Sequence, residues 1–257
     1  MSDRETLGRR GLFRGAATFG TVAALPAAAQ PAPPASGPPE TLRAWRALPA
    51  AARAARPPVP PYRFFNAEEA AFIEGAVDRI IPDDDDWPGA LWAGVPNYID
   101  GQLAGAYGHG ARFYAGGPWA TGTPSQGYQL PLNPSQLYRT SLEAILREAG
   151  RRGLDFRHAS PEQRDDFLRV IESGDVDVGG IPSSAFFETF LANTIEGFLA
   201  DPLYGGNRDM VGWRMIGFPG AYAGYLQLYT HHGMRLDREP MSIGQSIAAP
   251  RAGHQHG

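Results

Sequence analysis

Apolar positions recur at helical spacing along much of this chain. Phe72, Ile73, Ala76, Val77, Ile80 and Ile81 share one face of a helix expected over residues 67–81. Asn66 is placed to cap it, Glu69 stands at the capping-box position, and Pro82 stops it. A second helix opens at Pro96 and carries Tyr98, Ile99 and Leu103. A third opens on Asn133-Pro134-Ser135-Gln136, with Pro at its first position and Gln two residues later, and presents Tyr138, Leu142, Ile145 and Leu146. Ser160-Pro161-Glu162-Gln163 repeats that grammar ahead of Phe167, Leu168 and Ile171. A fifth helix, capped by Ser183 or Ser184, runs over residues 185–199 with Phe186, Phe187, Phe190, Leu191, Thr194, Ile195 and Phe198. A sixth apolar segment, residues 221–229, also reads as helical. No long period-two alternation and no internal repeat is present, so the predicted fold is mainly α.

Between and around these helices the pattern changes. Arg9-Arg10-Gly11-Leu12-Phe13-Arg14 is a twin-arginine motif, followed by a weakly apolar stretch over residues 15–25 and by small residues at Ala27-Ala28-Ala29. That stretch is too short to span a bilayer and reads as a cleaved export signal over residues 1–29, with Arg9 and Arg10 addressing the folded chain to the twin-arginine translocase. The expected location is therefore the periplasm. Residues 30–61 form a Pro/Ala-rich linker or arm, interrupted by a short apolar helical piece around residues 42–55. The helical domain is expected over residues 62–240, with a long loop at residues 105–131 that holds seven glycines. Residues 241–257 read as a flexible tail.

Composition narrows the function. The chain has 257 residues, 43% hydrophobic and 19% charged, which suits a folded core. Formal charge is −4, and without residues 1–29 it becomes −6, from 19 arginines against 25 carboxylates. That balance gives no electrostatic footprint for nucleic acid. Every one of the 23 basic residues is Arg. Cysteine is absent, which excludes disulfides, a thiolate nucleophile, Cys-x-x-Cys-His haem attachment and cysteine-ligated iron–sulfur clusters. No further segment has the length and apolarity of a membrane span, so a membrane would be reached through partners only.

Candidate chemistry is sparse. Asp83 to Asp86 could attract a hard cation, but consecutive carboxylates point apart, and a solvated turn is the simpler reading. His109, His158, His231, His232, His254 and His256 offer no helical metal-site spacing. No dinucleotide fingerprint, Walker sequence or Gly-x-Ser-x-Gly is present. Neither a catalytic, a cofactor-binding nor a metal residue is therefore assigned.

Residues 196–220 stand apart. They mix Gly205-Gly206-Asn207, which tolerate left-handed backbone, with Tyr204, Trp213 and Phe218 and with the polar residues Asp201, Arg208, Asp209 and Arg214. The stretch looks too Gly-rich for regular structure. Either its aromatics cap the core, or Tyr204, Asn207, Arg208, Trp213, Arg214 and Phe218 form a partner-binding surface, since Trp, Tyr and Arg are favoured anchors.

Here the sequence resembles a known family. Phe72 to Pro82, Pro88-Gly89-Ala90 with Gly94-Val95, and Tyr98-Ile99-Asp100 resemble the first block of the gluconate 2-dehydrogenase subunit 3 family. Asp201-Pro202-Leu203-Tyr204-Gly205-Gly206-Asn207, Gly212-Trp213 and Ile216-Gly217-Phe218-Pro219-Gly220 resemble its second. The resemblance implies a small, or gamma, subunit of a membrane-bound sugar or sugar-acid dehydrogenase. Such a subunit carries no redox cofactor itself. Its partners would be a large subunit holding FAD and a multihaem cytochrome c subunit holding haem c, and it would help the large subunit mature and leave through the twin-arginine route. Two other readings stay open on the residues alone. One is a self-sufficient periplasmic enzyme using carboxylates with His231 or His232; the other is a sugar-binding module using exposed aromatics.

Overall fold

Local capping rules set the helix starts. In the computed structural model, which describes residues 45, 47, 58–111, 113, 116, 117, 119, 129–222 and 238–248, three helices begin with reciprocal capping boxes. Helix α1 (Ala67–Ile80) uses Asn66 and Glu69. Helix α3 (Pro134–Arg151) uses Asn133 and Gln136, and α4 (Pro161–Glu172) uses Ser160 and Gln163. Each box satisfies two backbone N–H groups that a helix start otherwise leaves to water. Helix α2 (Val95–Leu103) starts without a side-chain cap, from Gly94 in the left-handed region, with Pro96 in its first turn.

Helix α5 (Ser183–Leu199) starts earlier than the sequence suggests, and neither serine caps it. Pro182 occupies the cap position. Ser183 instead faces inward, where its hydroxyl donates to Ile171 O at 2.7 Å and accepts from Val176 N–H at 3.3 Å. It fastens the end of α4 to the start of α5.

α5 is the central helix. It packs against α1, α2, α3 and α4, which explains why it is apolar on nearly every side. Phe186, Phe190 and Phe198 are fully enclosed, with Phe186 stacked on Phe190 at 5.7 Å and set edge-on to Tyr138 at 5.1 Å. Phe72, Phe156 and Phe167 continue the aromatic core towards α4. Burying a Phe of this kind stabilises by roughly 1.5–3 kcal/mol. A bidentate pair between Arg79 and Asp165, at 2.7 and 3.0 Å, ties α1 to α4 at the edge of that core. The mainly α class is therefore correct, and no strand occurs among the described residues.

Three expectations change. Trp45, in the short apolar helical piece expected within the linker, is helical as expected but is buried against the domain; its ring meets Trp92 edge-on at 5.8 Å and its indole N–H donates to Asp84 O at 3.1 Å. Residues 196–220 are not irregular throughout, since α5 runs to Leu199, Pro202–Tyr204 and Arg208–Met210 are 3₁₀ turns and α6 covers Val211–Ile216. The tail is ordered at its start, where helix α7 spans Ile243–Ala248 behind a capping box between Ser242 and Gln245. Of the helix expected over residues 221–229 only residues 221 and 222 are described, and they are not helical; the rest of it, the export signal with Arg9 and Arg10, and His231, His232, His254 and His256 lie outside the described residues.

Candidate functional site

The segment that follows α5 is built from buried polar contacts upward. Asp201 accepts the Leu203 N–H at 2.9 Å, which caps the first 3₁₀ turn, and the Ile243 N–H at 2.7 Å, which brings in α7. Asn207 is fully enclosed. Its amide donates to Ala200 O and accepts from Gly212 N–H, both at 2.8 Å, so one side chain closes the loop between α5 and α6. Close backbone approach dictates two glycines here. A Cβ on Gly206 would stand 2.2 Å from Gly197 O, and one on Gly212 would stand 2.1 Å from Phe198 O.

Helix α6 ends in a Schellman turn. Gly217 is left-handed, Phe218 N–H bonds to Trp213 O at 2.8 Å, and Gly217 N–H bonds to Arg214 O at 3.4 Å. The chain then meets the C-terminal segment, with Gly220 and Met241 forming a parallel bridge. Arg214 reinforces this junction by donating to Asp209 O at 3.0 Å and pairing with Glu239.

This construction divides the six residues expected at the surface. Trp213 is buried, its indole N–H donates to Leu199 O at 2.6 Å, and Phe218 stands edge-on to it at 5.1 Å. Asn207 is buried as well, because it supplies the loop's internal hydrogen bonds. Both are therefore framework, a correction to the partner-facing assignment of Asn207 and Trp213. Arg214 serves the junction with Glu239. Tyr204 and Phe218 remain exposed, at 54% and 44%, and Arg208 is half-buried. Sequence reasoning missed Leu203, Ile216, Ile243 and Ile247, which are exposed beside them in the chain and on α7. The Ile243/Ile247 pair, one helical turn apart behind Ser242-x-x-Gln245, was a readable signal.

Other polar clusters have structural partners. Asp84 accepts the N–H groups of Asp86 and Trp87, and Asp83 accepts that of Gly89, so part of the acidic run shapes a turn. No group of three or more His, Asp or Glu among the described residues has the geometry to hold a metal ion. His109 sits 2.7 Å from Gly105 O through Nδ1, and His158 faces Asp155 at 3.9 Å in the open. Asn193 is buried and gathers the hydroxyls of Tyr107 and Tyr138, at 3.3 and 3.0 Å. Burial raises the pKa of both tyrosines, and it pushes Tyr98 up to about 12 with a smaller contribution from the Glu196 carboxylate. These hydroxyls stay protonated near neutral pH. No helix among the described residues is long and apolar enough to cross a membrane.

A family model described as Gluconate 2-dehydrogenase subunit 3 matches residues 67–220, from the start of α1 to the bridge residue Gly220. No curated protein and no solved structure matches the chain.

Proposed function

The chain belongs to the gluconate 2-dehydrogenase subunit 3 family, and from that membership we propose that it is the non-catalytic small subunit of a periplasm-facing, FAD-dependent sugar-acid dehydrogenase complex. Membership supports an accessory role in an oxidoreductase complex. In the finer reading, the chain helps an FAD-containing large subunit mature and carries it through the twin-arginine translocase, and a multihaem cytochrome c subunit receives the electrons.

One observation carries the reading. The end of the matched span presents Leu203, Tyr204, Ile216 and Phe218 to solvent, at 57%, 54%, 52% and 44% exposure, from a loop that is held rigidly beneath. Large apolar side chains displayed on an ordered base suit association with another protein better than chemistry within this chain.

The test is genetic. Arg9→Lys together with Arg10→Lys should remove both this chain and the flavoprotein large subunit from the periplasmic and membrane fractions, measured as flavoprotein activity in each. Continued export of the large subunit while this chain stays behind would sink the escort reading.

A further inference from the structure

The surface around the second 3₁₀ turn contains a cation without a counterion among the described residues. Arg208 N–H donates to Ala93 O at 3.0 Å, and its guanidinium lies 5.9 Å over the Trp92 ring. Gly94, in the left-handed region at φ 78°, lies against it: a Cβ there would stand at ordinary contact distance, 3.7 Å, from Arg208 Nη2 and more tightly, 3.1 Å, from Gly205 O. The guanidinium forms no hydrogen bond or ion pair with any described residue. The adjacent Asp209 carboxylate acts on it only through space, and burial draws its pKa below the ordinary arginine value. The backbone that presents it is held in an unfavourable conformation. Asn207 and Asp209, on either side of Arg208, and Met210 all have positive φ, at 47°, 52° and 56°. Non-glycine residues are held this way only where surrounding contacts impose it, and such positions gather at functional sites.

Exposed apolar side chains lie on the elements next to this turn: the Pro202–Tyr204 turn packs against Arg208–Met210, and α7 packs against Pro202–Tyr204. Leu203 and Tyr204 precede Arg208 on the same turn-rich segment, and both Gly205 O and the guanidinium lie against Gly94. Asp201 binds the Ile243 N–H, and a Cβ on Gly244 would stand 3.9 Å from Leu203 Cδ1, so α7 lies against Leu203. That helix adds Ile243 and Ile247, at 36% and 76% exposure.

We infer that Leu203, Tyr204, Ile243 and Ile247, with Arg208 on the adjoining 3₁₀ turn, form the docking face for an apolar segment of a partner protein, and that an Asp or Glu of this segment pairs with the Arg208 guanidinium. The inference rests on the accessory-subunit reading and names the partner's chemistry. A planar guanidinium whose donors bind no described residue matches a carboxylate bidentately, and an apolar partner segment seated on the neighbouring turn would shield the pair from water. Charge separates this occupant from a lipid surface. Anionic bilayers hold proteins through clusters of basic residues, whereas this face offers one arginine on a mature chain of formal charge −6.

The experiment uses the mature chain and its flavoprotein large subunit, with affinity measured by calorimetry and folding by thermal melting. Arg208→Gln should raise Kd about thirty-fold, the scale of an interface hot spot, and Arg208→Lys should recover only part of the loss. Ile247→Ser, at a position too exposed to affect folding, should raise Kd about ten-fold with an unchanged melting temperature. A tight wild-type complex that neither Arg208→Gln nor Ile247→Ser weakens would overturn the inference and leave the accessory-subunit reading intact. Absence of any wild-type complex, visible before a variant is made, would overturn that reading and this one with it. Sedimentation with phosphatidylglycerol vesicles supplies the remaining arm. Vesicle binding that Arg208→Gln abolishes, beside an unaffected protein complex, would assign the face to lipid and overturn the inference.

Discussion

Asp100 and Asp201 are both buried carboxylates that bind backbone N–H groups, at 3% and 8% exposure, yet they hold different kinds of structure. Asp100 accepts three consecutive donors, Arg63, Phe64 and Phe65, at 2.9, 2.8 and 3.0 Å. Its neighbourhood repeats the theme. Arg139 pairs with the buried Glu69, donates to Phe64 O at 2.7 Å and lies 4.2 Å over the Phe64 ring. This clamp seats Phe65 in the core. Asp201 instead gives one oxygen to Leu203 and one to Ile243, joining segments 42 residues apart. What it organises is largely solvent-exposed. One carboxylate completes the core and the other arranges a surface, although each has the same local chemistry.

Substitution should separate these roles, and Asp100→Ala should have the largest effect. It strands three backbone donors, one of them on fully buried Phe65, and should lower stability by about 3–4 kcal/mol in urea unfolding. A loss below about 1 kcal/mol would place the clamp outside the core's energetics. Asp201→Ala should cost less, about 1–2 kcal/mol, because its two donors lie nearer to water. Its signature is local: amide exchange should accelerate across residues 241–248 while α1 and α5 keep their protection. Global unprotection would show that the two clamps are equivalent after all.

The smallest effect is absent at neutral pH. Tyr98 lies on α2 two residues before Asp100, but its ring packs towards Gly197 and its Cβ lies beside Gly206, on the Asp201 side. Its folded pKa of about 12 lies above the ordinary value near 10. The protonated hydroxyl is thus favoured by folding. This contribution is fully present below pH about 10 and is lost as pH rises through about 12. Tyr98→Phe should leave neutral-pH melting unchanged and flatten part of the decline in stability above pH 10. An unaltered alkaline profile would show that burial at this seam does not control the titration.

Legibility in the sequence followed the range of the interaction. The boxes at Asn66, Asn133 and Ser160 join residues three apart, so the helix starts could be read directly. Asp100 serves residues 35 to 37 positions away, and nothing local marks it. Ser183 was misread because Ser before an apolar run suggests a cap, while the actual hydroxyl bonds to α4. The candidate site divided in the same way. Tyr204 and Phe218, chosen by residue type, are exposed, whereas Trp213 turns inward, where its indole donates to Leu199 O. Helix α6 has six residues, too few for periodicity to register. Ile243 and Ile247 did carry a local signal, but the surrounding residues looked like a tail.

The tether at Asp201 also has a mechanical consequence. Tension applied to the C-terminal end of α7 reaches the bond between Ile243 N–H and Asp201 first. Next to bear it are the two backbone bonds of the Gly220–Met241 bridge, Met241 N–H to Pro219 O and Ala221 N–H to Met241 O. Among the described residues, these few hydrogen bonds, each worth about 1 kcal/mol net, form the weakest link in series with the helical core. A pull from that end should peel α7 away and dismantle the exposed face before any core helix yields. The C-terminal side is therefore a release point for whatever rests on that face, and a load-bearing attachment belongs elsewhere on the chain.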